Sequence, residues 1–236
     1  MSTSAQSRSH PAARTGLRAR KKAVTRQAIS DEATRLFLER GFEAVTLAEV
    51  AEAAGVSVKT IFNYFGSKEE LFLDREDLLH EAILAAVRDR GPGARITEAL
   101  VVVFTESRIP DGTGWAALFD PERRAVFRRF LAVWQESAAL QGRYLSSNER
   151  LQERLAPLLA GELGLPEGDD ALRIFVAMLV AAMHRRMTVL SEMVLADAAP
   201  EAIRERVVAA TAVAFARVAM AFPDLDRPGP GASDRR

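Results

Sequence analysis

Apolar residues recur along most of the chain at the three-to-four spacing of amphipathic helices, and no segment demands a β-sheet. Between about residue 19 and residue 40, Ala28, Ile29, Ala33, Leu36 and Phe37 mark the buried face of a first helix, which Gly41 stops. A second helix opens sharply at Thr46. Thr46 is its N-cap, Glu49 completes a capping box, and Val45 and Val50 form a hydrophobic staple. That helix runs to Ala54, where Gly55 supplies a tight turn. Ser57 then caps a third helix, with Val56 and Ile61 placed for another staple. Ser67 and Glu70 form one more capping box and open a fourth helix that continues to about Arg90, where Gly91-Pro92-Gly93 breaks the chain. Two short helices joined by a glycine turn are a helix-turn-helix.

The same pattern predicts further helices over about 95–108, 121–135, 138–163, 171–191 and 200–222, giving an all-α chain of about nine helices. Asp120 followed by Pro121 is an N-cap and first-turn pair, whereas Pro157 predicts a kink or interruption inside its helix. Residues 109–120, with Pro110, Gly112 and Gly114, read as a long loop. The domain plan that follows is a disordered basic arm over 1–21, a three-helix DNA-binding module over 22–83 with its motif at 46–65, a larger helical domain over 84–223, and a disordered tail over 224–236.

Composition narrows the chemistry. No cysteine is present, which removes disulfides, thiolate zinc sites and a cysteine nucleophile together. The longest apolar run, Ile174 to Met183, is far short of the roughly 18 residues that span a bilayer, so no membrane association is expected and a cytoplasmic location is the simplest reading. Net charge is zero, yet residues 1–68 hold 11 Lys/Arg against 6 Asp/Glu, leaving 21 against 26 for the rest. A basic front suits phosphate, although such an imbalance also describes a solvated face. Arg14, Arg18, Arg20, Lys21, Lys22 and Arg26 form a basic run that either enters an adjacent minor groove or serves as a solubilising tail.

Enzyme chemistry finds little to work with. His10, His80 and His184 are the only histidines; Asp77 and His80 have the spacing of half a di-iron site but no second Glu-x-x-His follows. His80-Glu81 lacks the second histidine of a metalloprotease helix, and no glycine-rich phosphate loop follows a strand. No cofactor, metal site or catalytic residue is expected.

The stretch Gly41-Phe42-Glu43-Ala44-Val45-Thr46, then Val50 through Ser57, Thr60 through Phe65, and Ser67 through Leu71 closely resembles the signature of the TetR family of transcriptional regulators. The resemblance covers the first four helices. It implies a ligand-responsive repressor that binds a palindromic operator as a dimer, with Thr46, Tyr64 and Lys68 at phosphates and Ser57, Val58, Lys59, Thr60 and Asn63 at or near the groove. Lys59 is the first choice for a base reader, to guanine. Ile61 and Phe65 read as core. Phe62 stands where many members carry tyrosine, so packing is the expected role of that ring.

The later helices carry the rest of that expectation. Helices near 171–191 and 200–222 are the candidates for a homodimer interface, since Ile203, Val207, Ala210, Ala214 and Val218 recur at spacings of three or four. Phe104, Trp115, Phe119, Trp134, Met178, Met183 and His184 are candidates for an apolar pocket holding an unknown small-molecule effector, although core packing explains most of them equally well. The rival to a sequence-specific regulator is a non-specific architectural DNA-binding protein, favoured by the basic arm and disfavoured by the large second domain. If the arm touches DNA, deleting residues 1–18 flattens the salt dependence of duplex binding; a slope equal to that of the full chain rejects the contact.

Overall fold

The computed structural model describes residues 11–91, 93–106 and 115–226, with side chains from Arg20 onward. Every regular element among them is an α-helix, as the periodicity predicts, and they number eleven. The chain divides into two compact units, Met1–Asp74 and Arg75–Arg236, so the division falls inside the stretch 22–83 that the sequence suggests is one module.

The first unit contains α1 (Pro11–Arg40), α2 (Leu47–Ala53), α3 (Val58–Phe62) and α4 (Lys68–Phe72). Its core is aromatic. Phe37, Phe42 and Phe72 meet with ring centroids 5.2–5.8 Å apart, and Ile29, Ala33, Val45, Val50, Ile61, Phe65 and Leu71 are buried in the same unit. Gly41 turns the chain out of α1 at φ +87°, a conformation that a side chain at this position would strain. The basic arm expected over 1–21 is helix from Pro11 onward, and residues 1–10 lie outside the described residues. Helical periodicity is hard to see there because Leu17 and Val24 are the only large apolar residues of the sequence over 11–24.

The fourth helix predicted from Ser67 to Arg90 is instead two helices, α4 and α5 (Glu76–Arg88). The reason lies far away in sequence. Asp74 takes a 2.5 Å hydrogen bond from the Ser30 hydroxyl and an ion pair from Arg26 at 3.6 Å, while Arg26 also donates to the Asp74 carbonyl. Bonding to α1 holds residues 73–75 out of helical register.

The second unit continues with α6 (Ile96–Thr105), α7 (Trp115–Phe119), α8 (Pro121–Glu136), α9 (Ala138–Leu163), α10 (Asp170–Leu195) and α11 (Pro200–Ala221). Two apolar clusters hold it together. One joins α5, α6, α9, α10 and α11 around Leu100, Leu155, Phe175, Leu179 and Phe215; the other joins α7, α8 and the far parts of α10 and α11 around Leu118, Leu131, Val189, Ile203 and Val207. α10 therefore serves both clusters. It is long and apolar enough by composition to cross a membrane, yet half of its most apolar window is buried against neighbouring helices.

Three sequence expectations change in this unit. The loop predicted over 109–120 contains α7, because Trp115 and Leu118 one turn apart both pack on the second cluster and the Trp115 indole donates to the Thr105 carbonyl at 2.9 Å. Pro157 does not interrupt α9. It removes the donor to the Glu153 carbonyl, and both residues lie on the exposed side, where solvent can satisfy that carbonyl. The tail expected to be disordered from 224 is ordered through Asp226, and residues 227–236 lie outside the described residues. Leu225 and Asp226 are buried. The Asp226 carboxylate accepts from the Thr97 amide at 2.9 Å and the Thr97 hydroxyl at 2.7 Å, and Arg95 donates to its carbonyl. Asp226→Ala strips both buried Thr97 donors of their partner and is expected to cost about 1–3 kcal/mol; a denaturant midpoint equal to wild type contradicts this tie.

Candidate nucleic-acid interface

The helix-turn-helix is built by local hydrogen bonds that the sequence announces. At the start of α2, the Glu49 carboxylate accepts from the Thr46 amide at 2.7 Å while the Thr46 hydroxyl accepts from the Glu49 amide at 3.3 Å, a complete capping box. Arg40 at the end of α1 donates to the same carboxylate at 2.8 Å. These donors, the Thr46 amide first, pull Glu49 down to a pKa of about 2. Gly55 then turns the chain at φ +64°, and the Val56 amide closes onto the Ala51 carbonyl at 2.9 Å. Ser57 caps α3 through the Thr60 amide at 3.0 Å, and its hydroxyl lies 2.8 Å from that of Thr60.

α3 has five residues, too few to be stable alone, so its orientation comes from what it buries. Ile61, at 1% exposure, and Phe65 just beyond the helix, at 3%, anchor it in the aromatic core as the sequence predicts. At about 100° per residue, Lys59 and Asn63 fall on the side opposite Ile61, and both are exposed. Val58 and Phe62 share one flank, at 36% and 54% exposure. The expected packing role of Phe62 is therefore corrected. Ile61 and Phe65 are the side chains of this stretch that turn inward, and Phe62 is left mostly exposed.

The flanking candidates are more constrained. Thr46 is exposed, but its hydroxyl already donates to Glu49 at 2.8 Å, so any phosphate it meets competes with the cap. Tyr64 is half-buried, with the Lys22 ammonium 5.9 Å from its ring centroid. Lys68 lies over the Phe42 ring at 4.2 Å, and burial lowers its pKa. Arg26, part of the basic run, sits over the Phe65 ring at 4.6 Å and pairs with Asp74. Of that run, Arg20, Lys21 and Lys22 are the exposed cations with described side chains. Nothing local in the sequence distinguishes the anchored Arg26 from its neighbours.

The seven pocket candidates do not line one wall. Phe104 and Met183 are buried in the first cluster, Phe104 against Phe215 at 6.3 Å and beneath the Arg186 guanidinium at 4.9 Å. Trp115 packs on the second cluster, and Phe119 and Met178 are exposed. Trp134 and His184 are brought together through a residue that sequence reading missed. Tyr144 meets Trp134 edge-on at 5.6 Å and His184 at the same distance. Burial raises the Tyr144 pKa. An open groove of about 480 Å³ between α10 and α11, lined by Val189, Met193, Ala202 and Ala209 among others, includes none of the seven.

Comparison with known proteins agrees with this geometry. The family model for bacterial regulatory proteins of the tetR family matches residues 29–74. The HTH-type transcriptional regulator TcmR of Streptomyces glaucescens is 32% identical over 172 residues, which cover 72% of this chain and 74% of that protein. The HTH-type transcriptional regulator BetI of Rhizobium meliloti is 31% identical over 159 residues, covering 64% and 70%. Among solved structures, the SmeT–triclosan complex shares the fold at a TM-score of 0.50 and 21% identity, covering 88% of this chain and 96% of that one.

Because the folded pKa of Glu49 is depressed, its capping stabilises the unit fully above the ordinary value of 4.5 and loses that effect as pH falls toward about 2. The stability gap between wild type and Glu49→Gln in urea melts should close across this window; a gap independent of pH contradicts the capping role. The match to TcmR across three quarters of that protein, with the helix-turn-helix in place, makes the chain a member of the tetR family of bacterial regulatory proteins, a sequence-specific DNA-binding transcriptional regulator.

Proposed function

We propose that this regulator is a cytoplasmic repressor that holds a palindromic operator as a homodimer and is released when a small molecule binds its second unit. The observation that carries the dimer is the exposed apolar face of the two long C-terminal helices. Ile174 and Met178 are exposed one turn apart on α10, at 55% and 38%; Val213 and Met220 are exposed two turns apart on α11, at 61% and 71%, with exposed Ala209 and Ala216 at matching spacing. A second copy buries these side chains and leaves Ala positions for close approach.

Dimerisation also solves the reading problem. A helix as short as α3 meets only a few base edges, whereas two related by a twofold axis read half-sites one helical turn apart. In each half-site Lys59 and Asn63 reach base edges from the exposed side of α3, and Tyr64, Lys68 and the Thr46 end of α2 supply phosphate contacts. Lys59 donates to the guanine acceptors. The effector site is proposed around Trp134, Tyr144 and His184, where the Tyr144 ring meets both of the other two. An effector releases DNA only through unequal affinity for the two states of the dimer.

Sedimentation equilibrium tests the first step. Wild type is expected as a dimer, and Val213→Glu as a folded monomer whose operator affinity falls by roughly a hundredfold or more because one head keeps one half-site. A monomeric wild type, or a dimer indifferent to Val213→Glu together with Met220→Glu, contradicts the interface.

A further inference from the structure

Val58 and Phe62 stand one turn apart on α3 and are both exposed. They form an apolar stripe beside the polar stripe of Lys59 and Asn63, with more than half of Phe62 exposed. Its exposure leaves free energy to be recovered by burial against an apolar group of the helix's own ligand. In a major groove the apolar group at the base edges is the C5 methyl of thymine. Phenylalanine carries no hydroxyl for a phosphate, so contact area is all this ring can contribute.

We propose that Val58 and Phe62 read thymine methyl groups, so that each half-site places a thymine beside the base hydrogen-bonded by Lys59. This rests on the placement of α3 in the major groove proposed above. The recognition helix then has two channels: hydrogen bonding from Lys59 and Asn63, and methyl contact from Val58 and Phe62. The second channel specifies A·T pairs without a polar side chain.

Replacing thymine by deoxyuridine removes only the methyl and leaves every hydrogen-bonding group, which isolates this contact. Duplexes enriched from a randomised library by the full-length protein are resynthesised with each symmetry-related pair of thymines so replaced. Dissociation constants are then measured for wild type, Phe62→Ala, Val58→Ala and Phe62→Tyr. Wild type is expected to weaken by about fourfold per methyl at one such pair, near the value of burying one methyl group. Phe62→Ala and Val58→Ala are each expected to bind the thymine and uracil duplexes equally at the position that the missing side chain covers, and Phe62→Tyr to keep the discrimination. Equal binding of thymine and uracil duplexes by wild type at every position overturns the methyl contact while leaving operator recognition intact. Undiminished discrimination by both alanine variants overturns the role of these two residues. Failure to enrich any sequence removes the groove placement itself, and this inference with it.

Discussion

The position of α3 depends on the aromatic core of the first unit. A five-residue helix has almost no stability of its own, so its orientation is set by the burial of Ile61 and Phe65 in the unit and by the Ser57 cap at its start. The Arg26–Asp74 pair then fixes the far end of the unit onto α1. Because α3 buries only one narrow side, three of its five positions, Val58, Lys59 and Phe62, are left exposed. The same economy explains why Lys68 and Arg26 lie over aromatic rings. Their charged groups rest on the faces of Phe42 and Phe65, so each covers an edge of the core with a cation over a ring.

A second constraint acts on α10. It contributes Leu172, Phe175, Val176 and Leu179 to one cluster and Val189, Leu190 and Val194 to the other, which ties the whole second unit to one rigid element. The exposed side of that element, with Ile174 and Met178, is also the proposed dimer surface. A change in packing around Trp134, Tyr144 and His184 therefore involves a helix that would face the partner protomer. Two functions placed on one helix give an effector a short physical route to the dimer geometry.

Local chemistry was legible and distant chemistry was not. The caps at Thr46, Ser57 and Ser67 and the glycine turns at 41 and 55 depend on residues within a few positions of each other, and the structure has them, except that the Glu70 carboxylate expected to complete a box at Ser67 accepts from the Gly66 amide instead. The break after α4 depends on Ser30 and Arg26, more than 40 residues away from Asp74, and no periodicity reports it. Asp226 looks like tail in the sequence because its partners, Arg95 and Thr97, lie at the start of α6. α7 was hidden because its anchoring residues sit in a stretch rich in glycine and proline. Phe62 misleads in another way: an aromatic in a helix usually fills a core, and only the burial of Ile61 and Phe65 on the other side of the helix leaves this one exposed. The pocket residues scattered because hydrophobic spacing marks burial and says nothing about which buried residues share a cavity.

Selection of bound duplexes from a randomised library by purified wild type, beside Lys59→Ala and Tyr64→Ala, tests the central claim most directly. The account predicts a palindrome enriched by wild type, with its sequence preference relaxed at one symmetric position in Lys59→Ala and its affinity lowered without a change of preference in Tyr64→Ala. Duplexes retained without any enriched sequence would contradict a specific reading helix and leave a protein that binds DNA by charge alone.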